Sequence, residues 1–524
     1  MNRKTNKTMI TPKYGIVATS EPNAAQAGLS ILKTGGNAVD AAIATAIALT
    51  VTEPTSNGLG GDNFAIAWVN QQLIGMNASG RSPENLSVEA LQALGHKEIP
   101  IYGVIPVTVP GQIKGWAALS KKYGKLPFRD LFEPAIRLAE DGYQIADTVQ
   151  YHWDKAAQIY QEKLKGPQFQ GWFDTFGKAP KKGAWVTLKD HAQTLKSLRD
   201  TEGESFYSGA LAEKIAAFFK EHGGFLTKND LSRHNIEWVK PISATYRGYD
   251  VCELPPNTQG LIGLLSFNLL EHFKVDTMGP VDRMHTQMEA VKLAFADGLK
   301  YIADPKAMTV TIDELLSKAY AQKRAKEITN EALVPHYGKP QATGTVYLAT
   351  VDAEGQMVSF IQSNYMGFGS GIVIPNTGIA LHNRGHNFSL DPLSPNVLAP
   401  LKKPYHTIIP GFLMKDGAPI GPFGVMGGFM QPQGHLQVIS HLLDLKMNPQ
   451  EALDQPRFMW EKEKTIWVED NFPDEVYQQL KQRGHDLKKT ADVALFGRGQ
   501  MIIKKENGYA VGTEKRCDGT IAYE

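Results

Sequence analysis

Two hydroxyl residues and a glycine pair in the last third of the sequence could do chemistry. Thr345 stands where a polar stretch turns into an apolar, β-branched one, and Ser363 follows it in the next such stretch. A threonine hydroxyl is a weak nucleophile at its own pKa and needs an adjacent base. Gly427-Gly428 could bring backbone N–H groups close to a developing oxyanion, because glycine has no Cβ. On these patterns alone, Thr345 could equally begin a strand, Ser363 could be an exposed serine at a strand end, and the glycines could form a plain turn.

The segments around these residues are typical of β-strands. TVYLATVDAEGQMVSFIQSN, from Thr345, carries β-branched and aromatic residues on both sides of Asp352-Ala353-Glu354-Gly355. This pattern predicts a hairpin with a short turn that contains glycine. YHTIIPGFLMKDGAPIGPFG predicts two more short strands around Lys415-Asp416-Gly417. The sequence therefore places Thr345 at the start of one strand and the glycine pair beyond the end of another.

The first third of the chain favours helices. The segment 24–32 is helix-like and is followed by Gly35-Gly36, and Asn37 can cap a second helix, AVDAAIATAIALTV. The many small residues of that second helix indicate close packing against another element. The segment GHLQVISHLLDL near the C-terminus predicts a further helix. A helical first part and a strand-rich last part, packed as layers, favour one α+β unit over two independent domains.

Composition excludes several classes of protein. The chain has 524 residues, of which 42% are hydrophobic, and a formal net charge of +1, which argues against a general nucleic-acid binder. Its two cysteines, Cys252 and Cys517, are too few for a disulfide framework or a cysteine-based zinc site. The N-terminus lacks an apolar core of signal-peptide length, and the longest apolar stretches are shorter than the ~20 residues that cross a bilayer. We therefore expect a cytoplasmic protein with no membrane association.

The block GTVYLATVDAEGQMVSFIQSNYMGFGSGIVIPNTGIALHN resembles the start of the catalytic subunit of the gamma-glutamyltranspeptidase family. The similarity extends to GVMGGFMQPQG, EPTSNGLGGDNF and PVTVPGQIKGW, and so covers nearly the whole chain. The resemblance implies the four-layer αββα sandwich of the N-terminal nucleophile hydrolase type. It also implies a single precursor that cuts itself between Gly344 and Thr345, giving a large subunit (1–344) and a small catalytic subunit (345–524) that form one αββα unit.

The implied mechanism suits these residues. Cleavage before Thr345 would free an α-amine with an ordinary pKa of about 7.7–8.0, which can take the hydroxyl proton near neutral pH. Thr345 would then attack an amide carbonyl and pass the acyl group to water or to an amine. The family places at Ser363 a hydroxyl residue that is hydrogen-bonded to the nucleophile, and at Gly427 and Gly428 the N–H groups of the oxyanion hole. No cofactor is implied.

The resemblance also implies a substrate pocket, and here the sequence departs from the family. Arg81 resembles the arginine that holds the α-carboxylate of a glutamyl substrate, which a guanidinium can bind bidentately. The acidic residue of NNxxDDFS, which binds the α-ammonium, is replaced by Asn387 in HNRGHNFS. Lys402-Lys403 replaces the usual serine pair, and Tyr365 a usual asparagine. These changes resemble the gamma-glutamyltransferase-like or cephalosporin-acylase-like branch and fit a glutaryl-type acyl group at least as well as glutamate.

Three alternatives stay open at this point. GLGGDN could be a phosphate-binding loop, although it lacks the GxxxxGK[ST] pattern. His382 and His386 have the spacing of metal ligands on a helix, but Asn383 and Gly385 make a helix there doubtful, and we expect no metal site. A relative that never cleaves itself could serve as a binding or scaffold protein. The favoured interpretation is a self-processing amide hydrolase or acyltransferase whose substrate is a small gamma-glutamyl or related acyl amide.

Overall fold

The structure is a computed structural model that describes residues 9–335 and 345–524. Its strands are β1 Gly15–Thr19, β2 Asp62–Val69, β3 Gln72–Asn77, β4 Tyr143–Gln144, β5 Trp185–Val186, β6 Glu237–Val239, β7 Ile242–Tyr246, β8 Tyr249–Glu253, β9 Val346–Asp352, β10 Met357–Ser363, β11 Val373–Ile374, β12 Ile379–Ala380, β13 Gly411–Lys415, β14 Ala418–Met426, β15 Phe458–Lys462, β16 Thr465–Glu469, β17 Asp486–Thr490, β18 Arg498–Lys505, β19 Gly508–Thr513 and β20 Thr520–Tyr523.

Along the chain, the α-helices lie between these strands. They are α1 Pro22–Lys33, α2 Ala38–Thr52, α3 Val88–Ala93, α4 Gln112–Tyr123, α5 Glu133–Asp141, α6 Asp147–Lys163, α7 Gln170–Phe176, α8 Lys189–Asp200, α9 Glu204–Tyr207, α10 Ala210–Glu221, α11 Lys228–Ser232, α12 Gly260–Leu270, α13 Pro280–Tyr301, α14 Ile312–Leu316, α15 Lys318–Ala325, α16 Met430–Leu443, α17 Pro449–Asp454 and α18 Asp474–Gln482. Short 3-10 helices include Arg384–Asn387.

Two large sheets form the centre of the molecule. Within the described residues, the first sheet has seven strands in the order β20-β1-β9-β10-β2-β3-β6, and the second has six in the order β19-β18-β14-β13-β8-β7. Each sheet takes strands from both sides of position 345. In the first sheet, β1 lies between β20 and β9 and is antiparallel to both.

The sheets face each other across an apolar layer. Alternate residues of a strand point to opposite faces of its sheet. In β9, Val346 and Leu348 pack into the core under the helices, whereas Tyr347, Ala349 and Val351 belong to a cluster with residues of the second sheet, among them Phe412 and Met426. Tyr347 and the residues that alternate with it along the strand therefore face the space between the two sheets.

Helices cover the outer face of each sheet. Helix α2 lies over the first sheet with all of its residues buried, which its Ala-rich sequence permits. Asn37 caps this helix by accepting a hydrogen bond from the Asp40 N–H, and the Asp40 carboxylate accepts one from the Asn37 N–H, as in a capping box. Helices α12 and α16, also fully buried, pack with α13 into the core on the second sheet. The order of layers is thus helix, sheet, sheet, helix.

Several sequence predictions are confirmed by these elements. β9 and β10 form the predicted hairpin, with Gly355 in its turn at φ +82°. β13 and β14 form the second predicted pair, with Gly417 at φ +77°. The cap at Asn37 and a helix over GHLQVISHLL are also present.

No helix among the described residues is long and apolar enough to cross a bilayer.

Candidate active site

Thr345 and Ser363 meet at one end of the first sheet. β9 begins just after Thr345, and β10, its antiparallel neighbour, ends at Ser363. The Thr345 Oγ1 donates a hydrogen bond to the Ser363 Oγ over 3.2 Å, and both residues are fully buried. Ser363 is therefore not an exposed strand-end serine. Gly344, and with it the predicted cleavage bond, lies outside the described residues, so that cleavage stays a prediction.

The strand beyond Ser363 adds a buried carboxylate that sequence reasoning missed. Asp62 opens β2 and lies directly opposite Ser363, on the same face of the sheet. Its Oδ1 accepts hydrogen bonds from the N–H groups of Gly80 (3.3 Å) and Gly111 (3.1 Å), and its Oδ2 lies 3.1 Å from Nε2 of His406. Burial raises the pKa of Asp62 to about 7. The signal in the sequence was an acid inside the glycine-rich GLGGDNF, where a plain turn would not need one.

Gly427 and Gly428 join β14 of the second sheet to helix α16. Their φ angles are +138° and +59°, in the region that favours glycine, so the turn itself requires this residue type. The Gly428 carbonyl accepts a hydrogen bond from Nε2 of Gln259 over 2.8 Å. Positive potential from the first turn of a helix acts at this position. The pair thus has the conformation and surroundings of an anion-binding turn, and its role as the oxyanion hole stays a prediction.

A buried arginine packs on Tyr365, two residues beyond Ser363. Arg384, which begins the 3-10 helix after β12, is fully buried, and its guanidinium carbon lies 4.2 Å from the ring centre of Tyr365. The Tyr365 N–H donates to the Ser363 Oγ over 2.7 Å, and Tyr365 adopts φ +75°, rare for a bulky residue. The Arg384 Nη1 donates to the Thr407 Oγ1 over 2.7 Å. Sequence reasoning did not select Arg384, because arginine is a residue type that is mostly exposed.

Tyr365 and Asn387 are brought together, and they are hydrogen-bonded to each other. The Tyr365 hydroxyl donates to the Asn387 Oδ1 over 2.5 Å, and the Asn387 Nδ2 donates to the Tyr405 carbonyl over 2.9 Å. Both ends of the Asn387 amide therefore have partners within the protein. Its role as the acceptor for a substrate ammonium stays a prediction, and in that role the ammonium would share the Asn387 Oδ1 with the Tyr365 hydroxyl.

Arg81 is engaged in ion pairs with two carboxylates. Its Nη1 lies 2.7 Å from Asp304 Oδ2 and its Nη2 lies 3.0 Å from Glu237 Oε1. Lys403 shares Glu237 through a 3.1 Å ion pair, while Lys402 donates to the carbonyl groups of residues 395 and 397. Arg81 and Lys403 thus meet, beside a cavity of about 200 Å³, and Lys402 turns elsewhere. The binding roles of these three residues stay predictions, and Arg81 already holds two carboxylates of the protein.

A second cavity is lined by residues that adjoin Tyr365 and Gly427 in the sequence. It has a volume of about 370 Å³ and reaches Met366-Gly367, just after Tyr365, and Met426, just before Gly427. Its walls are largely apolar, and the two cations in them are ion-paired, Lys155 with Asp492 and Arg498 with Glu53. A cavity at this position suits the part of a substrate that leaves or arrives as an amine.

A separate cluster of buried side chains has the residue types of metal ligands. His285, Glu289 and His485 could supply ligand atoms within 4.8 Å of one another. The ammonium of Lys292 lies 2.7 Å from Glu289 Oε1 and 3.4 Å from His485 Nδ1. The Lys292 ammonium therefore already supplies a positive charge to this cluster.

Comparisons with known proteins agree with this arrangement. A sequence profile described as Gamma-glutamyltranspeptidase matches residues 24–524. The chain is 36% identical to the Glutathione hydrolase-like YwrD proenzyme of Bacillus subtilis, over 98% of this chain and 99% of that one. It is 32% identical to the Oxamate amidohydrolase proenzyme of Klebsiella pneumoniae, over 97% of this chain and 98% of that one.

A solved structure, the cephalosporin acylase from Bacillus halodurans, is 53% identical, with a TM-score of 0.96 over 100% of this chain and 98% of that one. The predicted fold, the αββα sandwich of the N-terminal nucleophile hydrolases, is confirmed by this match and by the order of layers. These relatives are named as enzymes, and the profile covers all the residues that form the cluster around Thr345. The chain belongs to the gamma-glutamyltranspeptidase family.

Proposed function

We propose that this enzyme cuts its own chain between Gly344 and Thr345 and then hydrolyses or transfers the acyl group of small amides through Thr345. The observation that carries the proposal is the buried 3.2 Å hydrogen bond from Thr345 to Ser363, at the start of β9. It holds the hydroxyl where the chain enters the first sheet. The proenzyme names of the relatives support a precursor that is processed into two subunits.

The proposed reaction uses residues on both sheets. The α-amine of the new N-terminus takes the proton of the Thr345 hydroxyl, and the oxygen attacks the amide carbonyl. N–H groups of Gly427 and Gly428, across the space between the sheets, stabilise the oxyanion. The amine product leaves with a proton, and water or another amine then attacks the acyl-enzyme ester and regenerates the threonine. Ser363 keeps the Thr345 oxygen oriented throughout.

The acyl group admits two versions of this function. The relatives named above act, by their names, as a glutathione hydrolase-like protein, an oxamate amidohydrolase and a cephalosporin acylase. The enclosed Asn387 amide favours a glutaryl-type acyl group over gamma-glutamyl, because an α-ammonium would compete with Tyr365 for its oxygen. The cytoplasmic location is a separate proposal, and cell fractionation with antibody detection tests it.

Cleavage is tested on the purified protein by denaturing gel, intact mass and N-terminal sequencing. We expect fragments of about 38 and 20 kDa, in proportion to residues 1–344 and 345–524 of the 57.6-kDa chain, with Thr345 at the new N-terminus. Thr345→Ala should stay a single chain and show no amidase activity. A wild-type chain that remains intact after long incubation would contradict the proposal, and a cleaved Thr345→Ala would point to Thr343 as the nucleophile.

A further inference from the structure

Arg384 has one edge of its guanidinium without a partner. Its Nη1 is bound by Thr407, but its Nε and Nη2 are buried and have no hydrogen-bond partner among the residues that the structure describes. The side chain is 0% exposed. A buried charged donor that lacks an acceptor is strongly unfavourable, and proteins rarely leave one unless it serves a ligand. The arrangement therefore calls for an acceptor from outside the chain.

The unpartnered edge has the geometry of a carboxylate receptor. The Nε–H and one N–H of Nη2 point in the same direction in the plane of the guanidinium and match the two oxygens of a carboxylate. The plane is fixed from two sides, by the Tyr365 ring at 4.2 Å and by the Thr407 Oγ1 at 2.7 Å. An arginine held in this way loses little freedom when an anion binds.

Contacts through neighbouring residues place this edge beside the reacting groups. On one side, Arg384 stacks on Tyr365, whose N–H is bonded to Ser363, the partner of Thr345. On the other side, Thr407 accepts a hydrogen bond through its carbonyl from Gln259, which also binds the Gly428 carbonyl. Arg384 is therefore connected to the nucleophile through Tyr365 and Ser363, and to the glycine turn through Thr407 and Gln259.

The charge around Arg384 favours an anion. Burial lowers the pKa of Arg384 to about 10, so the group stays cationic at neutral pH. Asp62, the carboxylate whose charge acts on it, already accepts from Gly80 and Gly111 and faces His406. Because burial also raises the pKa of Asp62 to about 7, its negative charge is partly neutralised near that pH. A positive charge is thus left incompletely balanced.

We infer that the Nε and Nη2 edge of Arg384 binds a carboxylate of the acyl group, so that the preferred substrates are monoamides of short dicarboxylic acids. This inference rests on the proposed function and assigns its acyl specificity to Arg384 instead of Arg81. The leaving amine then extends toward the cavity at Met366 and Met426. An α-ammonium beside the carboxylate would meet the guanidinium charge and the occupied Asn387 amide.

The test compares three anilides on the cleaved enzyme: glutaryl, its carboxamide analogue, and gamma-glutamyl. We expect kcat/KM for the glutaryl substrate to exceed that for the neutral analogue by about ten- to a hundredfold, the range of hydrogen bonds to a charged group. The gamma-glutamyl substrate should fall below the glutaryl one. Arg384→Gln should lower kcat/KM for the glutaryl substrate about ten- to a hundredfold more than kcat/KM for the neutral analogue, because only the carboxylate uses the edge.

Two further variants separate charge, geometry and folding. Arg384→Lys keeps the charge but not the bidentate edge, so it should recover only part of the advantage. Arg199→Gln, on the outer helix α8 with Glu133 and Asp200 as partners, is the matched control and should keep the full advantage. Equal kcat/KM for the glutaryl and neutral substrates on wild type would overturn the inference even if Arg384→Gln failed to mature. Cleaved enzyme inactive on all three anilides, or a chain that never cleaves, would instead count against the proposed function.

Discussion

Replacing Ser363 with alanine separates orientation of the nucleophile from stability of the sheet. The change removes the acceptor of the 3.2 Å bond from Thr345 and of the 2.7 Å bond from the Tyr365 N–H. The second loss leaves a buried N–H without that acceptor, which costs about 1–3 kcal/mol of folding free energy. The first leaves the hydroxyl free to leave its attacking orientation. If the bond is worth about 1.4–2.8 kcal/mol in the transition state, kcat falls about ten- to a hundredfold.

Ser359→Ala supplies the matched control for this variant. Ser359 lies on the same strand, is equally buried and shares a 2.8 Å hydrogen bond with the Tyr347 hydroxyl. It should therefore lose comparable stability without a change in kcat. The assays are urea unfolding and single-turnover kinetics on fully cleaved protein with a glutaryl anilide. A kcat for Ser363→Ala equal to that of Ser359→Ala would refute the reasoning, since Ser363 would then act only in folding.

Three more predictions follow from the site. Gly428→Val forces a β-branched residue to φ +59° and should lower kcat about 10²- to 10³-fold. The control Gly417→Val, which is strained at φ +77° in an open turn, should lower stability alone. If Gly428→Val kept a kcat near the parent value, the glycine pair would be only a turn. Because burial raises the pKa of Asp62 from 3.8 to about 7, its contribution to stability is complete below pH 4 and is lost as pH rises through 7. Asp62→Asn should flatten that fall in unfolding free energy, and an unchanged pH profile in urea titrations would contradict the assignment. Asn387→Asp replaces the donor to the Tyr405 carbonyl with an oxygen and should destabilise the protein by about 1–3 kcal/mol, and a gain in stability would show that this contact does not form.

The sequence predicted those parts of the fold that depend on neighbouring residues. The β9–β10 hairpin follows from β-branched strands joined by a turn that ends at Gly355, and the cap of α2 follows from Asn37. The insertion of β1 between β9 and β20 had no such local signal, because its partners lie hundreds of residues away along the chain. The layered architecture came instead from the resemblance to a family.

In the candidate site, too, some residues could be predicted from the sequence and others could not. Thr345 and Ser363 could be placed together because they lie at matching ends of one hairpin. Arg81 has the residue type that its predicted role needs, but its partners Asp304 and Glu237 come from distant segments and could not be foreseen. Arg384 escaped notice since residue type alone predicts an exposed arginine, and only the packed structure shows that it is buried.

The strand order of the first sheet has a consequence for the life of the cleaved enzyme. β1, which precedes position 345, is hydrogen-bonded on both sides to strands that follow this position, β9 and β20. If the chain is cut before Thr345, the fragments remain interlocked, and neither can leave without breaking four strand ladders, β1–β20, β1–β9, β2–β10 and β8–β13. Dilution should then not dissociate them. Unfolding, however, would separate pieces that no longer share a chain, so that reassembly becomes bimolecular. Maturation would thereby turn a reversible folding equilibrium into a state whose persistence depends on its unfolding rate.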